Sequence, residues 1–163
     1  MPFLLVDHPA SAVRTRAMTQ GRRLVDPHDI ATLVRSLRRV AVLGMRSEAF
    51  AERPAHYVPA ALAAMGIEIL PVALHEPTVS TMLGAPVVRS LAELTGAIDC
   101  VDVFRRSDDV PAHLADLLAL RPRAVWLQSG IRNDAVAAAL VAAGIDVVQD
   151  RCLMVDARRY RVA

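Results

Sequence analysis

Short apolar runs separated by segments of helical period set the rhythm of this chain. Val40 to Leu43 is apolar without alternation and is closed by Gly44. Such a run reads as a strand buried on both faces, the pattern of a parallel sheet covered by helices. Further strands are predicted at Ile67–Leu74, Ile98–Phe104, Ala124–Leu127 and Ile145–Val148, with a minor strand or turn at Pro86–Val88. Pro71 marks the end of the second run or an irregular edge.

Helices are predicted between these runs. Asp26 caps the first, Pro27 suits its first position, and Ile30, Leu33, Val34 and Leu37 form one apolar face ending near Arg38–Arg39. A second runs from Pro54 to Met65 and stops at Gly66. Ser90 caps a short one through Leu94, with Glu93 at the capping-box position. Asp109 and Pro111 open another to Leu120, and Asn133 caps the last, which stops at Gly144. The alternation predicts an α/β fold of Rossmann-like, doubly wound type: a mainly parallel five-stranded sheet with helices on both faces, joined by right-handed crossovers.

Domain organisation follows from where that rhythm begins. Residues 1–25 show no sustained period and are read as a basic, loosely ordered extension; residues 26–163 form a single domain, as expected for 163 residues. Residues 1–39 carry seven arginines against three aspartates, so the formal net charge of +2 hides a basic front. Arg14, Arg16, Arg22 and Arg23 have no aromatic interleaving and no recognition motif, so a solvated extension or N-terminal cap is expected and nucleic acid is not.

Composition narrows the class further. The chain is 54% hydrophobic and 22% charged, which belongs to a folded globular protein, and its scarcity of aromatics predicts a core of small aliphatic side chains. Its longest uncharged apolar stretches, Val58–Ile67 and Ala135–Ile145, fall short of the roughly 18 residues of a membrane span. Met1–Val6 lacks a preceding positive region, so no secretory signal is expected. Cys100 and Cys152 make neither a disulfide framework nor a metal cluster and fit a reducing, cytoplasmic compartment.

In an open parallel sheet a ligand sits outside the carboxyl ends of the strands, which directs attention to the loops that follow them. The first reads Gly44-Met45-Arg46-Ser47 and continues to Arg53-Pro54. Gly44 permits a sharp turn or close approach, and Ser47, Arg53 and the amides at the next helix start suit a phosphate or pyrophosphate; the alternative is a plain turn with a surface charge. Leu74-His75 offers a rim for an adenosine or a solvated loop. In Phe104-Arg105-Arg106, one arginine suits a ligand and the other a pairing with Asp108 or Asp109, while Phe104 either covers a thioester arm or closes the core. Gln128 and the backbone at Gly130 suit a polar ligand, with Trp126 packed beneath.

Other chemistries fit less well. The glycines of G-x-G-x-x-G and the G-K-[ST] of a P-loop are missing, and the five histidines are scattered without metal-ligand spacing. Cys152 beside Arg151 has no evident histidine base, so a structural or incidental role is expected of it. His56 is read as a local hydrogen-bonding residue.

The chain resembles the small stand-alone CoA-binding domain proteins, related to the CoA-binding domain of the succinyl-CoA synthetase alpha subunit. The likeness runs from about Val40 to Asp156 and rests on order and spacing: Val42-Leu43-Gly44 with Arg53-Pro54, Ile69-Leu70-Pro71-Val72, Leu83-Gly84 with Ser90-Leu91, Ile98-Asp99 through Val103-Phe104-Arg105, Val125-Trp126 with Gln128 and Gly130-Ile131-Arg132-Asn133, and Ala143-Gly144 through Asp150-Arg151-Cys152. Two departures stand out: Arg46 where many relatives have serine, and Ala73-Leu74 where they have asparagine-proline.

The resemblance implies coenzyme A, or a short acyl-CoA, across the carboxyl edge of the sheet. The Gly44 loop and Arg53 would meet its phosphates, Leu74–His75 its nucleotide side, and Phe104–Arg105 with Gln128 its pantetheine arm. Relatives that ligate CoA use further domains, so a non-catalytic carrier, sensor or regulatory domain is expected, with a protein partner or homodimer left open. The alternatives are a nicotinamide-dependent oxidoreductase and an interaction domain that has lost its ligand.

Overall fold

The computed structural model describes residues 19–162. The extension ahead of residue 19, with Arg14 and Arg16, lies outside the described residues. Five helices, α1 (Pro27–Ser36), α2 (Pro54–Ala64), α3 (Leu114–Leu120), α4 (Asp134–Ala142) and α5 (Leu153–Tyr160), accompany seven strands. The strands are β1 (Arg39–Leu43), β2 (Glu68–Val72), β3 (Thr81–Met82), β4 (Ala85–Pro86), β5 (Cys100–Val103), β6 (Ala124–Leu127) and β7 (Asp146–Val148). The main sheet is wholly parallel in the order β2-β1-β5-β6-β7, while β3 and β4 form a separate two-stranded ribbon. The doubly wound fold and its five parallel strands are therefore as the apolar runs predict.

The lack of alternation along the strands has a direct explanation: each alternate residue enters a different core. Val40, Val42, Cys100, Ala124 and Trp126 belong to one buried layer, with side chains of α1, α2 and α5. Ala41, Leu43, Val101, Val103, Val125 and Leu127 belong to the other, with α3 and α4. Both faces exclude water, so period two disappears from the hydrophobicity.

Local signals place most helix starts. Asp26 accepts from the His28 amide and Asn133 from the Val136 amide, each relieving an orphan N–H group of a first turn. The helix expected from Asp109 to Leu120 divides into a 3-10 segment at Ser107–His113 followed by α3. Ser90 likewise caps a 3-10 turn, Leu91–Glu93, by accepting from the Ala92 amide.

Two features lie outside the predicted pattern. Helix α5 was not anticipated from the sequence. Residues assigned to the lead-in also run alongside β7: Leu24 N–H donates to the Val147 carbonyl at 2.8 Å and Val147 N–H to the Arg22 carbonyl at 2.8 Å. Gly21 makes this docking possible, because a Cβ there would stand 2.3 Å from the Ile145 carbonyl oxygen. The segment covers a strand edge that would otherwise present unpaired backbone groups.

Candidate functional site

The strand order reverses between β1 and β5: the chain leaves β1 toward β2 on one side and returns to β5 on the other. Loops leaving such neighbours part in opposite directions and open a crevice at their carboxyl ends. Gly44 ends β1 there with φ of +85°, and its amide donates to the Val72 carbonyl at 2.9 Å. A Cβ on Gly44 would lie 2.4 Å from the Phe104 carbonyl oxygen, so glycine lets the β1 and β5 loops meet at the crevice.

A cavity of about 860 Å³ occupies this position. Of the residues chosen from the sequence, Gly44, Arg46, Arg53, Pro54, His75, Phe104, Arg105 and Gln128 line it. Met45, Ser47, Leu74 and Gly130 do not. Met45 is buried in the core layer beneath, and Leu74 packs on the opposite layer. Gly130 is exposed and its amide donates to Asp150 Oδ1 at 2.6 Å.

Ser47 is taken by a carboxylate from the second loop. Its hydroxyl donates to Glu76 Oε1, and its amide donates to Glu76 Oε2 at 3.1 Å. Arg46 Nε donates to that same oxygen at 3.1 Å and the guanidinium lies 3.9 Å from the centre of the Phe50 ring. Burial alone would raise the Glu76 carboxyl, but the Ser47 and Arg46 contacts outweigh it and hold the group below its ordinary range. Part of the anion-binding capacity expected of the first loop is therefore met inside the protein.

Helix α2 fixes this loop by an exchange of partners. Pro59 has no N–H to give to the Ala55 carbonyl four residues back, and the Arg46 amide donates to that carbonyl instead at 3.1 Å. His56 adds a second tie, its Nδ1 lying 3.0 Å from the Arg46 carbonyl oxygen. This is the local hydrogen-bonding role read from the sequence.

The remaining arginines differ in how far they are committed. Arg53 is 60% exposed along its side chain, with Glu52 4.0 Å away. Arg105 reaches Asp109 at 3.7 Å, while its buried Nε has no hydrogen-bond partner among the described residues. Arg106, almost fully exposed, donates to Asp109 at 3.0 Å and is the main cause that holds that carboxyl below its usual range. Arg53 and Arg105 thus retain donors for a ligand.

An apolar wall completes the cavity. Val58, Phe104, Ile131, Met154 and Val155 face it, as does Cys152. Tyr57, Ala55 and Ser129 also line it without a signal in the sequence, as do Arg106 and Asp109, which the sequence offers as one of two adjacent arginines and a pairing partner. Met154 and Val155 arrive on α5, so the helix missed in the sequence brings this part of the wall. Trp126 lies fully buried below, and its Nε1 donates to the Arg151 carbonyl at 2.7 Å.

Arg151 holds α5 in place by a two-pronged pair with Asp156, at 2.9 and 2.7 Å. The Asp156 side chain is only 4% exposed and that of Arg151 36%, so the two partners are not equivalent. Arg151→Ala leaves a buried carboxylate unpaired and is expected to cost about 2–3 kcal/mol. Asp156→Ala frees a partly hydrated guanidinium and costs less; urea denaturation of both variants reads the difference, and equal losses would contradict this account.

The fold and crevice define a doubly wound α/β protein with a ligand cavity at its topological switch point. The chain belongs to the CoA-binding domain family, which it matches over residues 38–158. The Bacillus subtilis protein YneT is 34% identical over 127 residues, covering 78% of this chain and 90% of that one. A solved Thermus thermophilus structure, cell-free ID.343, is 40% identical, with a TM-score of 0.76 over 83% of this chain and 99% of its own. A Pyrococcus horikoshii structure shares the fold at 22% identity, with a TM-score of 0.76 and coverage of 85% and 94%.

Proposed function

We infer that this chain binds coenzyme A, or a short acyl-CoA, in the switch-point cavity and serves as a carrier, sensor or regulatory domain. The observation that carries the reading is the division of the cavity between arginine donors and an apolar wall. Arg53 and Arg105 suit the phosphates: both line the cavity, and neither guanidinium is closely paired, Glu52 standing 4.0 Å from Arg53 and Asp109 3.7 Å from Arg105. The strip from Phe104 to Met154 and Val155 suits the aliphatic parts of a pantetheine arm, and Gln128 suits its amides. His75 stands at the cavity rim for the nucleotide end. Family membership supports the same ligand class.

No residue is given a chemical step in this reading. The protein's part is to hold the phosphates, cover the arm and keep water from the apolar strip. A protein partner that responds to the loaded state would complete a regulatory role. Such a partner, or a second copy of the chain, belongs to this proposal.

Isothermal titration of the purified full chain with CoA, acetyl-CoA and NAD in parallel tests it. Saturable micromolar binding of CoA or acetyl-CoA, with none of NAD, is expected. Arg53→Ala is expected to weaken CoA binding roughly threefold to tenfold, the range of one charge-assisted hydrogen bond to a partly hydrated group. Its stability should stay within about 0.5 kcal/mol of the parent, as for exposed substitutions generally. Failure of a folded sample to bind either CoA species would sink the assignment.

A further inference from the structure

Asp102 lies on β5 facing the layer formed with α1, α2 and α5, and it is wholly buried. Val42 and Trp126 stand beside it in register on the neighbouring strands, so a carboxyl group occupies an otherwise apolar row. Its Oδ1 accepts from Gln128 Nε2 at 2.7 Å, and its Oδ2 has no partner among the described residues. A polar group left half-satisfied in a core costs stability, and here its partner is a residue of the ligand cavity.

The other oxygen in this pair, Gln128 Oε1, takes no hydrogen bond from the described residues. It is not among their sealed, unpartnered atoms, and Gln128 lines the cavity. With Nε2 held inward by the carboxylate, the free end of the carboxamide is an acceptor open to the cavity. A protonated Asp102 has an O–H to donate, which the carboxamide meets by turning Oε1 inward and presenting its NH2 group instead.

We propose that Asp102 is a positioning residue that sets which end of the Gln128 carboxamide a ligand meets: an acceptor oxygen when ionised, an NH2 donor when protonated. An amide presents both an N–H and a carbonyl, so the ionised state favours contact through an amide N–H of the pantetheine arm. This specificity rests on the coenzyme A reading; the coupling of the two side chains does not.

Burial pushes the Asp102 carboxyl up to about 7, with the Gln128 bond opposing it, so the switch falls near neutral pH. Other titratable and charged groups lie on the elements packed against it, and Asp102→Asn, which keeps all of them, separates their effect from that of the carboxyl. Cys100, on the same strand face, has its thiol pushed well up by burial and by Asp102 itself. On α2, His56 is engaged with the Arg46 carbonyl, and on α5 Asp156 is paired with Arg151 while Arg158 and Arg159 are exposed. On α1, Asp29 pairs with Arg22, Arg35 donates to the Tyr160 carbonyl and His28 is exposed.

The test compares the full-length parent, Asp102→Asn and Gln128→Met by CoA titration between about pH 6 and pH 8.5, with the Gln128 side-chain amide followed by NMR. Asparagine keeps the shape but cannot ionise, and methionine keeps the bulk without either polar end. The parent's affinity relative to Asp102→Asn should rise by roughly threefold to tenfold from the acid end to the basic end. Taking the ratio cancels the titration of the ligand's own phosphate. The Gln128 amide signals should move with a midpoint near 7 in the parent and stay still in Asp102→Asn. Gln128→Met should bind weakly, with no dependence on pH beyond that of Asp102→Asn.

A flat affinity ratio with CoA still bound would overturn the positioning role. Gln128 amide signals that do not move would overturn the coupling itself. Absence of CoA binding by the parent, with a moving Gln128 amide, would instead remove the coenzyme reading and the ligand specificity that depends on it.

Discussion

Gly44→Ala should lose roughly 3–4 kcal/mol of stability and more than tenfold in coenzyme A affinity, the most damaging single methyl group at the switch point. Two costs combine. At φ of +85° a residue with a Cβ pays about 1–2 kcal/mol for the left-handed backbone. The new carbon would also lie 2.4 Å from the Phe104 carbonyl oxygen, a backbone atom that has no rotamer by which to yield. The strain must move the β1 loop or the β5 loop, and both line the cavity.

Gly84→Ala separates the two terms. Gly84 has φ of +73°, yet nothing lies within 4 Å of the position its Cβ would take. It should therefore show the backbone cost alone, about 1–2 kcal/mol, and leave ligand affinity unchanged. Urea unfolding and CoA titration of both variants provide the comparison. Equal losses at the two glycines would show that close approach at Gly44 does not shape the site.

The sheet was legible because apolar runs such as Val40–Leu43 and Ala124–Leu127 are long enough to survive as local signals, and each is bounded by a residue that stops it. Caps were legible for the same reason: Asp26 and Asn133 bond to amides two or three residues away. The arginines and Gly44 could be placed near a ligand because the fold fixes where strand ends meet. Side-chain partners were not legible. Nothing local announces that Glu76 will take the Ser47 amide and hydroxyl, since the two residues meet only after β2 has formed beside β1.

The same limit explains the missed elements. Helix α5 is one short amphipathic segment in which Leu153 and Ala157 point inward beside the buried Asp156, whose charge breaks the apolar signal. Its stability comes from the Arg151 pair and from packing on α1 and α2, which sequence periodicity does not register. Gly21–Leu24 is too short for a period, and its docking depends on the distant β7 edge. Asp102 falls inside the predicted run Ile98–Phe104, but its burial and its bond to Gln128 follow from registering β5 against β6.

That buried carboxyl should also dominate how stability responds to pH. Its ordinary value of 3.8 is raised to about 7 in the folded chain, burial being the main cause. Between those values the folded state holds a proton that the unfolded state has released, so stability falls as pH rises through this window. The stabilising linkage is complete below the unfolded value and lost once pH passes the folded one. A shift of about three pH units corresponds to a swing on the order of 4 kcal/mol. Asp102→Asn carries no such proton. Its stability relative to the parent should therefore improve by about that amount between pH 3.5 and pH 8.5, whatever constant penalty asparagine brings to the buried site. Urea denaturation across this range measures the difference directly, and ionisation of Cys100 in the unfolded chain cancels because both proteins carry that thiol. A constant difference between the two proteins would mean that Asp102 titrates alike folded and unfolded, and that the carboxyl gains from its surroundings what burial takes away.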